Sequence, residues 1–577
     1  MKKNLLLLII SLIICSCNDE FLDCKPQGKL SDEILNTQEA IDALCTSAYS
    51  ALAGPEGSDL AFLSPTTNWI YGDVRAETAY KGGGGITDIW EYHAFETFTG
   101  VYATNGLLDR KWYHLYISVQ RANNAIRRLN NVTLKEVPLR DVRLGEMKFL
   151  RAHFFFELSR LFNKIPYFDE NVDIKDYINI SNEQFSRDQI LEKIAKEFED
   201  AANLLPATQT ELGRVTKYAA FAYAAKVNLY RAYKQDPQNN QVIEIDKSLL
   251  RKVVALCDSV ALGGYSLLPD YQYLAEVEYE HGSESVFGVE YSINDGTEYG
   301  RINWSNLVCT PRGPVYGGDG FFQPSQNLVN SYKTDNNGLP DFDNYNISGN
   351  IIKATDGFLF NIDPRLDFTV GRLGIPWKTY TRNYDERWSR EPATYGYFSC
   401  KKFVLAPGSP YMVKGWPWGG NALNFQIIRY ADVLLWKAEA LIELGRQDEA
   451  YPLINQIRNR AKNSNYVKKL NSTSNAANYV INEYKPGVNC IWTQEYARKA
   501  LRFERKLELA MEGERFFDLV RWGIAAETIN DYFQREKLVR TYIKDDTHFT
   551  AGKDEYFPIP QPQINFSGGL YKQNPGY

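Results

Sequence analysis

The residues that could carry out covalent chemistry are few, and they lack the spacing that catalysis requires. The chain has five histidines, His93, His114, His153, His281 and His548, with no H-E-x-x-H motif and no pair at metal-ligand spacing. It has no G-x-S-x-G nucleophile elbow, and no Gly-Lys-Ser/Thr follows the glycine run at 82–85, which we interpret as a loop. Two of the 71 carboxylates could lie at glycosidase separation by chance. The sequence nevertheless predicts a protein that is not an enzyme.

Aromatic and polar side chains in two loop-rich regions fit a different chemistry, the binding of a sugar. The chain has 38 Tyr and 11 Trp. A Trp or Tyr ring offers a flat apolar surface to the C–H face of a sugar ring, and charged side chains form strong hydrogen bonds with its hydroxyls. The first region contains Trp69, Asp73, Arg75, Tyr80, Trp90 and Tyr92, and the second contains Trp304, Cys309, Tyr316, Trp377, Arg382, Trp388 and Tyr395.

Seven of these residues are the ligand-binding candidates: Asp73, Trp90, Tyr92, Trp304, Cys309, Arg382 and Tyr395. Trp90 is the preferred single contact. For each aromatic residue, packing of the ring beneath its own loop is the alternative. Trp112, Trp436 and Trp522 fall in helical patterns, so we expect them in the core.

The sequence indicates no metal site or cofactor. The cysteines Cys24, Cys45, Cys257, Cys309, Cys400 and Cys490 contain no C-x-x-C pair, and we expect most of them to be buried thiols. The run at 335–346 is acidic and amide-rich and could hold a structural Ca2+ through oxygen ligands, but a solvated turn is the preferred interpretation. The formal net charge of −6, with no basic cluster, argues against a nucleic-acid partner.

The N-terminus is typical of an exported protein. Lys2 and Lys3 precede an aliphatic stretch at 5–14, which is too short to span a bilayer of about 30 Å and fits a signal peptide. The stretch ends in Ile14-Cys15-Ser16-Cys17, which resembles the lipobox of bacterial lipoproteins. We therefore predict a signal peptide at 1–16, a lipid on Cys17 and a polar tether at 17–35. The alternative is an ordinary signal peptide in which Cys17 is incidental.

The elements that must position these residues are mainly helical. The first helix is predicted to open at Asn36, and helical patterns follow at 112–129, 140–162, 187–205, 218–233 and 245–262. Residues 36–264 thus form an N-terminal helical part with a binding loop at about 57–106. Residues 265–424 are rich in Gly, Pro, Asn, Asp and aromatics and predict an irregular insertion. Helices resume at 425 and continue to about 533, followed by an extended tail to 577.

Residues 431–461 fit the tetratricopeptide template of paired helices. Ala438 takes the small position of the first helix, and Leu441 follows three residues later. Ala450 lies twelve residues after Ala438, on the second helix, and Ile454 and Ile457 follow it. Helix pairs of this type must stack to bury their apolar faces. The predicted fold is therefore a tetratricopeptide-like helix-pair scaffold carrying a long, loop-rich insertion.

Eight segments in order resemble the SusD/RagB family of Bacteroidetes outer-membrane lipoproteins, and they span the whole chain. They are Cys17-Asn-Asp-Glu-Phe-Leu-Asp23 with Pro26, Glu146-Met-Lys-Phe-Leu-Arg-Ala152 with Ile165-Pro166, Gly213-Arg-Val-Thr216, Pro324-Ser-Gln-Asn-Leu-Val329, Asp363-Pro-Arg-Leu366, Arg429-Tyr-Ala-Asp-Val-Leu-Leu435, Glu508-Leu-Ala-Met-Glu-Gly-Glu-Arg-Phe-Phe-Asp518 with Arg521-Trp522-Gly523, and Phe557-Pro-Ile-Pro560 with the tail to Tyr577.

The resemblance implies a fold and a role. The fold is a scaffold of tetratricopeptide-like helix pairs with a variable glycan-binding part, whose binding residues come from the same two loop regions. The role is that of a surface lipoprotein that captures a poly- or oligosaccharide and closes over a partner TonB-dependent transporter. Asp19 and Glu20, directly after Cys17, look like the signal that sends such lipoproteins to the outer face of the outer membrane.

Two other functions remain open within the same family. One is the capture of peptides, and the other is a lid or scaffold without its own ligand site. The abundance of loop tryptophan favours a glycan over a peptide, because extended peptides are usually held by backbone hydrogen bonds and side-chain pockets.

Overall fold

The computed structural model describes residues 36–54, 61–298, 300–313 and 315–577. The predicted signal peptide at 1–16, the lipidation site Cys17 and the tether at 17–35 lie outside the described residues, as does part of the predicted binding loop. Within the described part of the chain, no helix is both long enough and apolar enough to cross a membrane.

Helices form most of the regular structure. The helices of the N-terminal part are α1 (Gln38–Ser50), α2 (Trp90–Thr97), α3 (Gly106–Asn130), α4 (Arg140–Phe162), α5 (Arg187–Leu204), α6 (Lys217–Ala232) and α7 (Lys247–Ala261). The insertion contains the short helices α8 (Gln326–Ser331), α9 (Arg365–Thr369) and α10 (Pro392–Tyr395). The C-terminal part contains α11 (Tyr430–Glu443), α12 (Gln447–Asn463), α13 (Gln494–Glu508), α14 (Arg515–Arg521), α15 (Ala525–Glu536) and α16 (Gln561–Phe566).

The strands are short and pair in twos, always antiparallel. They are β1 (Ala79–Gly82) with β5 (Phe321–Pro324), β2 (Tyr233–Gln235) with β3 (Val242–Ile245), β4 (Ser285–Val289) with β10 (Phe425–Arg429), β6 (Lys333–Thr334) with β7 (Asn361–Ile362), and β8 (Val370–Gly371) with β9 (Ser399–Cys400). The β1–β5 and β4–β10 pairs join the insertion to the two helical parts on either side of it. A π-helix at Trp69–Val74 and a 3-10 helix at Trp304–Cys309 flank the β1–β5 pair.

The helices stack in sequence order, each on the one before it. α3, α4, α5, α6 and α7 pack successively, α7 packs on α11, and α11 packs on both α12 and α13. Ala222, Ala224 and Ala225 on α6 are fully buried. Their small side chains let neighbouring helices approach closely, as ridges that fit into grooves. The predicted fold, a mainly helical scaffold of tetratricopeptide-like pairs, is confirmed.

The α11–α12 pair follows the predicted template residue by residue. Ala438 and Leu441 on α11 are buried, as are Ala450, Ile454 and Ile457 on α12. Gly445 between the helices has φ of +78°, a left-handed conformation that glycine adopts without a steric penalty. The turn and the two buried stripes therefore form as the sequence predicts.

Helix limits agree with the sequence where the apolar periodicity is strong. The helix predicted at 140–162 is observed as Arg140–Phe162. The start of the first helix differs by one residue, because Thr37 and not Asn36 is its cap. The Thr37 hydroxyl accepts a hydrogen bond from the Ala40 amide at 3.3 Å.

The insertion contains a small core of its own. Tyr316, Trp377, Tyr384, Trp388 and Val404 form a buried cluster separate from the main core. The Trp377 indole donates to the Tyr316 hydroxyl at 2.7 Å, and that hydroxyl donates to the Leu405 carbonyl at 2.6 Å. This cluster explains how an irregular segment buries several large aromatic rings. Trp112, Trp436 and Trp522 are buried in the main core, as predicted.

The described cysteines are free thiols. Cys45, Cys257, Cys309 and Cys400 are buried, and Cys490 is partly exposed. Burial raises the pKa of the Cys45 thiol to about 12. The prediction of mostly buried thiols is confirmed for this part of the chain.

Candidate ligand-binding surface

Asp73, a predicted ligand contact, lies in the core and not on a loop surface. Its carboxylate accepts hydrogen bonds from the Gly513 amide at 2.6 Å and from the Thr78 hydroxyl at 3.2 Å. Burial raises its pKa to about 7, although these two hydrogen bonds oppose the shift. Asp73 therefore joins the π-helix to the turn at 511–514, and it is not accessible to a ligand.

Tyr92, Tyr395 and Cys309 are also enclosed. The Tyr92 hydroxyl donates to the Phe62 carbonyl at 2.5 Å, and its ring packs edge-on against Trp69 at 5.3 Å. Tyr395 packs against Tyr542 with ring centroids 5.2 Å apart. Cys309 is buried at the end of its 3-10 helix. These three side chains lie beneath the surface that the sequence predicted and do not form part of it.

Trp90 does lie at the surface, where half of it is exposed (50%). It is the first residue of α2 and follows the glycine run at 82–85 after a short turn at 86–89. Lys81 fixes that run, because its ammonium group donates to the carbonyls of Gly82, Gly85 and Asp88 at 3.0, 2.8 and 2.6 Å. Burial lowers the Lys81 pKa to about 8, a shift that nearby carboxylates oppose. Trp90 thus begins a helix directly after a segment that internal hydrogen bonds hold in place.

Trp304 is only 7% exposed and supports a second, more exposed ring. The centroids of Trp304 and Trp416 are 6.2 Å apart with their planes inclined at 58°. Trp416 is 57% exposed and Trp418, two residues later, is 52% exposed. Both belong to the segment 408–420, whose Trp416-Pro417 peptide bond is cis.

Contacts and sequence neighbours link these residues in a chain that runs from Trp90 to Trp304. The Arg390 guanidinium bridges the carboxylates of Asp88 and Asp319, at 3.0 and 3.4 Å. Gly317, two residues before Asp319, lies under Trp418, since a β-carbon on Gly317 would lie 3.8 Å from the indole ring. We call the surface formed by Trp90, Asp88, Arg390, Asp319, Trp418, Trp416 and Trp304 the aromatic surface.

Several members of the aromatic surface were missed from the sequence. Trp416, Trp418, Arg390, Asp88 and Asp319 were not among the candidates. The available signal was the run Gly415-Trp-Pro-Trp-Gly-Gly420, in which two tryptophans flank a proline between glycines, without helical periodicity. A run of this composition has no helix or strand in which to bury its rings.

Arg382 is exposed, but it lies on a turn that is not part of the aromatic surface. The Trp377 amide donates to the Arg382 carbonyl at 3.2 Å. Beside this turn is a cleft of about 400 Å³, which the neighbouring Tyr380 and Thr381 line together with Lys378, Glu276 and Tyr466. None of the residues that line this cleft belongs to the aromatic surface.

Two groups of residues bear on metal binding. In the run at 335–346, the Asp335 carboxylate accepts from the amides of Asn337 and Leu339, both at 2.8 Å, which makes it part of a hydrogen-bonded turn. A different group, Glu280, His281 and Glu290, offers three ligand atoms within 4.8 Å of one another. These three residues could ligate a cation. The sequence gave no signal for them, because β4 separates Glu290 from Glu280 and His281 along the chain.

Comparisons with known proteins agree on one family. A sequence model described as the SusD family matches residues 283–577. A second, described as starch-binding and associating with the outer membrane, matches residues 20–229. The chain is 24% identical over 591 residues to a SusD-like protein of Formosa agariphila, and the alignment covers 100% of each chain.

Solved structures share the fold at low sequence identity. The chain is similar to a laminarin-binding SusD-like protein, with a TM-score of 0.66, 22% identity, and 94% of this chain and 100% of that chain covered. It is also similar to surface glycan-binding protein A of Bacteroides thetaiotaomicron in complex with laminarihexaose. For that structure the TM-score is 0.65 at 22% identity, with 93% of this chain and 99% of that chain covered.

Proposed function

This chain belongs to the SusD family, and from that premise we propose that it captures an oligo- or polysaccharide at the aromatic surface. The observation that carries the proposal is the exposure of Trp90, Trp416 and Trp418, each half exposed or more, in segments that the ion pairs of Arg390 link. Large aromatic rings are usually mostly buried, and an exposed apolar patch with a polar rim is typical of a binding site.

The chemistry of the aromatic surface suits a sugar. Indole rings offer flat apolar faces to the C–H groups of a pyranose or furanose. Arg390, Asp88 and Asp319 supply charged donors and acceptors for hydroxyl groups at the edge of those rings, where hydrogen bonds to charged groups are the stronger kind. The names of similar proteins, one described as laminarin-binding and one in complex with laminarihexaose, support a saccharide as the ligand.

The proposed role is capture and delivery without catalysis. Cys17 carries the lipid anchor, which holds the protein at the outer face of the outer membrane. A match to a family described as associating with the outer membrane supports this location. A TonB-dependent transporter takes up the captured glycan, because a surface protein with no hydrolytic motif needs a partner that moves the ligand inward.

Titration calorimetry of the detergent-solubilised lipoprotein against soluble polysaccharides and peptides tests the ligand class. We expect binding to at least one polysaccharide and none to peptides. Binding to peptides alone would favour the peptide-capture alternative, and no binding to either would favour a lid or scaffold.

Substitutions test the site. Trp90→Ala and Trp418→Ala should each lower glycan affinity by roughly tenfold or more, as for aromatic hot spots, with little change in melting temperature. Phe566→Ala is the matched control, since Phe566 is 74% exposed on α16, which packs against α3. Unchanged affinity in both tryptophan variants would place the ligand elsewhere.

Co-purification tests the partner. We expect the protein to be isolated from mild detergent together with a much larger barrel protein, and we expect deletion of its gene to reduce glycan import more than surface hydrolysis. Isolation of the protein alone, with import intact, would contradict delivery but not glycan binding.

A further inference from the structure

Two glutamates and a histidine meet beside strand β4. Glu280 caps the C-terminal end of a short 3-10 helix at Val277–Tyr279, and His281 follows it. Glu290 comes directly after β4. The Nε2 atom of His281 lies 3.3 Å from Glu290 Oε2 and 3.8 Å from Glu280 Oε1. One ligand atom from each of the three residues therefore lies within 4.8 Å of the other two.

These distances fit the coordination shell of a small divalent cation. Zinc binds imidazole nitrogen and carboxylate oxygen at about 2.0–2.2 Å in a tetrahedron, so two atoms that ligate the same ion lie roughly 3.3–3.6 Å apart. The distance from His281 Nε2 to Glu290 Oε2 falls in this range, and the distance to Glu280 Oε1 is only slightly longer. A small rotation about a glutamate side-chain bond brings the third pair of atoms into the same shell.

Solvent reaches all three side chains. Those of His281 and Glu290 are 36% and 40% exposed, and that of Glu280 is 13% exposed. An ion can therefore enter from solution, and water can occupy the position that no side chain fills. Three protein ligands and one water form an open zinc site.

Asn424, directly before β10, orients both carboxylates. Its backbone amide donates to Glu280 Oε2 at 3.1 Å, and its side-chain amide donates to Glu290 Oε2 at 2.6 Å. The Asn424 Oδ1 atom accepts from the Tyr291 amide at 2.7 Å, which fixes the side chain. Glu280 thus turns its other oxygen, Oε1, toward His281. Hydrogen bonds that orient the ligands from outside are typical of metal sites.

The charge of the two carboxylates also favours a cation between them. Within the part of the chain that the structure describes, neither Glu280 nor Glu290 pairs with a lysine or an arginine. Glu284, in the same segment, shows the contrast, since it pairs with Arg429 at 2.8 Å and with Arg460 at 3.0 Å. Two neighbouring carboxylates repel each other unless a positive charge lies near them. His281 supplies that charge only when it is protonated, whereas a divalent cation supplies it and also uses the Nε2 lone pair.

We propose that Glu280, His281 and Glu290 bind a zinc ion, with water at the remaining position. Imidazole with carboxylates suits zinc, whereas calcium and magnesium prefer shells made of oxygen atoms. The ion ties the segment before β4 to the residue after it and, through Asn424, to the start of β10. It thereby braces the β4–β10 pair. The site is structural and does not depend on the glycan proposed above.

Zinc binding can be measured on the full-length protein. Metal-stripped protein dialysed against zinc chloride should retain one zinc ion per chain, counted by elemental mass spectrometry, and excess calcium chloride should not displace it. In crystals soaked in zinc chloride, an anomalous peak should lie within about 2.5 Å of His281 Nε2. Dialysed protein without zinc, or a peak that lies away from His281, would overturn the proposal.

Variants locate the ion. His281→Ala and Glu290→Gln should each weaken zinc binding by roughly tenfold or more, since loss of even an outer hydrogen bond to a ligand has this effect. His548→Ala and Glu278→Gln are the matched controls, because both residues are exposed and lie outside the group. They should change the affinity by less than about twofold, since exposed charges are screened. Equal losses in His281→Ala and His548→Ala would refute the assignment.

A protonated His281 that bridges the two glutamates is the competing explanation, and thermal unfolding separates the two. A ligand that binds only the folded protein raises the melting temperature. Zinc should therefore raise the melting temperature of the wild type and have little effect on His281→Ala. A wild-type melting temperature that does not respond to zinc would favour the protonated histidine and contradict the metal site.

Discussion

Glu508 on α13 is the residue whose neutralisation should cost the most stability. Its carboxylate accepts from Arg429 at 2.6 Å, from Arg365 at 3.0 Å and from Arg460. These ion pairs belong to a network that joins the insertion, β10, α12 and α13. The network contains five cations, Arg365, Arg429, Arg458, Arg460 and Lys402, and five anions, Asp363, Glu284, Glu504, Glu508 and Glu512.

The charge balance sets the expected magnitude. Glu508→Gln keeps the size of the side chain but leaves five cations against four anions in a buried site. Removal of one partner from a buried ion pair costs about 3–5 kcal/mol, because the remaining charge loses its compensation. We expect Glu508→Gln to lower the free energy of unfolding by an amount in this range at pH 7.

The pH dependence of the effect follows from the pKa of Glu508. Burial would raise this pKa, but Arg460, Arg429 and Arg365 outweigh burial and hold it well below its usual value. A carboxylate with a depressed folded-state pKa stabilises the protein above its unfolded-state pKa of about 4.3 and loses that contribution as the pH falls through the folded-state pKa. The difference between wild type and Glu508→Gln should therefore be constant near neutrality and shrink in acid.

Urea unfolding, followed by circular dichroism and tryptophan fluorescence, measures the effect. Glu449→Gln is the control, because Glu449 forms an exposed pair with Arg446 at 2.7 Å, and such pairs contribute little. A loss below about 1 kcal/mol in Glu508→Gln, within the range of exposed pairs, would refute the argument that the network needs its full charge.

Three further changes test other parts of the structure. Asp73→Asn should flatten the dependence of the melting temperature on pH between about pH 4 and 7. Burial raises the folded-state pKa of Asp73 to about 7, so the wild-type protein loses stability as the pH rises through that range and the buried carboxyl must ionise. Gly72→Ala should destabilise the fold by about 3 kcal/mol or more in urea unfolding, since the new β-carbon would lie 1.8 Å from the Gly513 carbonyl oxygen. Cys17→Ala should release a folded protein from the membrane fraction in detergent-free fractionation, and its retention there would contradict the lipid anchor.

The scaffold could be predicted from the sequence because its signal is local. The apolar periodicity of 140–162 gave both limits of α4 correctly. The small residues Ala438 and Ala450, twelve positions apart, gave the α11–α12 pair, since each position in the template depends on neighbours within one helical hairpin. Because local periodicity and capping carry this information, little of it depends on distant parts of the chain.

The aromatic surface could be predicted only in part, because burial inside irregular segments depends on distant contacts. The sequence argument assumed that loops cannot bury many rings. The insertion buries Trp377, Trp388 and Tyr316 in its own small core, whose members Tyr316 and Val404 lie 88 residues apart in the sequence. No periodic pattern distinguishes those rings from Trp416 and Trp418, which are exposed on the same insertion.

The buried candidates still bear on how the aromatic surface would bind. Tyr92 on α2, two residues after Trp90, packs against the buried Trp69, and its hydroxyl ties α2 to the Phe62 carbonyl. Lys81 fixes the preceding glycine loop from below. A ligand would thus meet a ring whose position is already set, so that binding requires little ordering of loops and side chains. In the first region the exposed Trp90 thus stands above buried rings that fix its position, and in the insertion the exposed Trp416 packs against the buried Trp304.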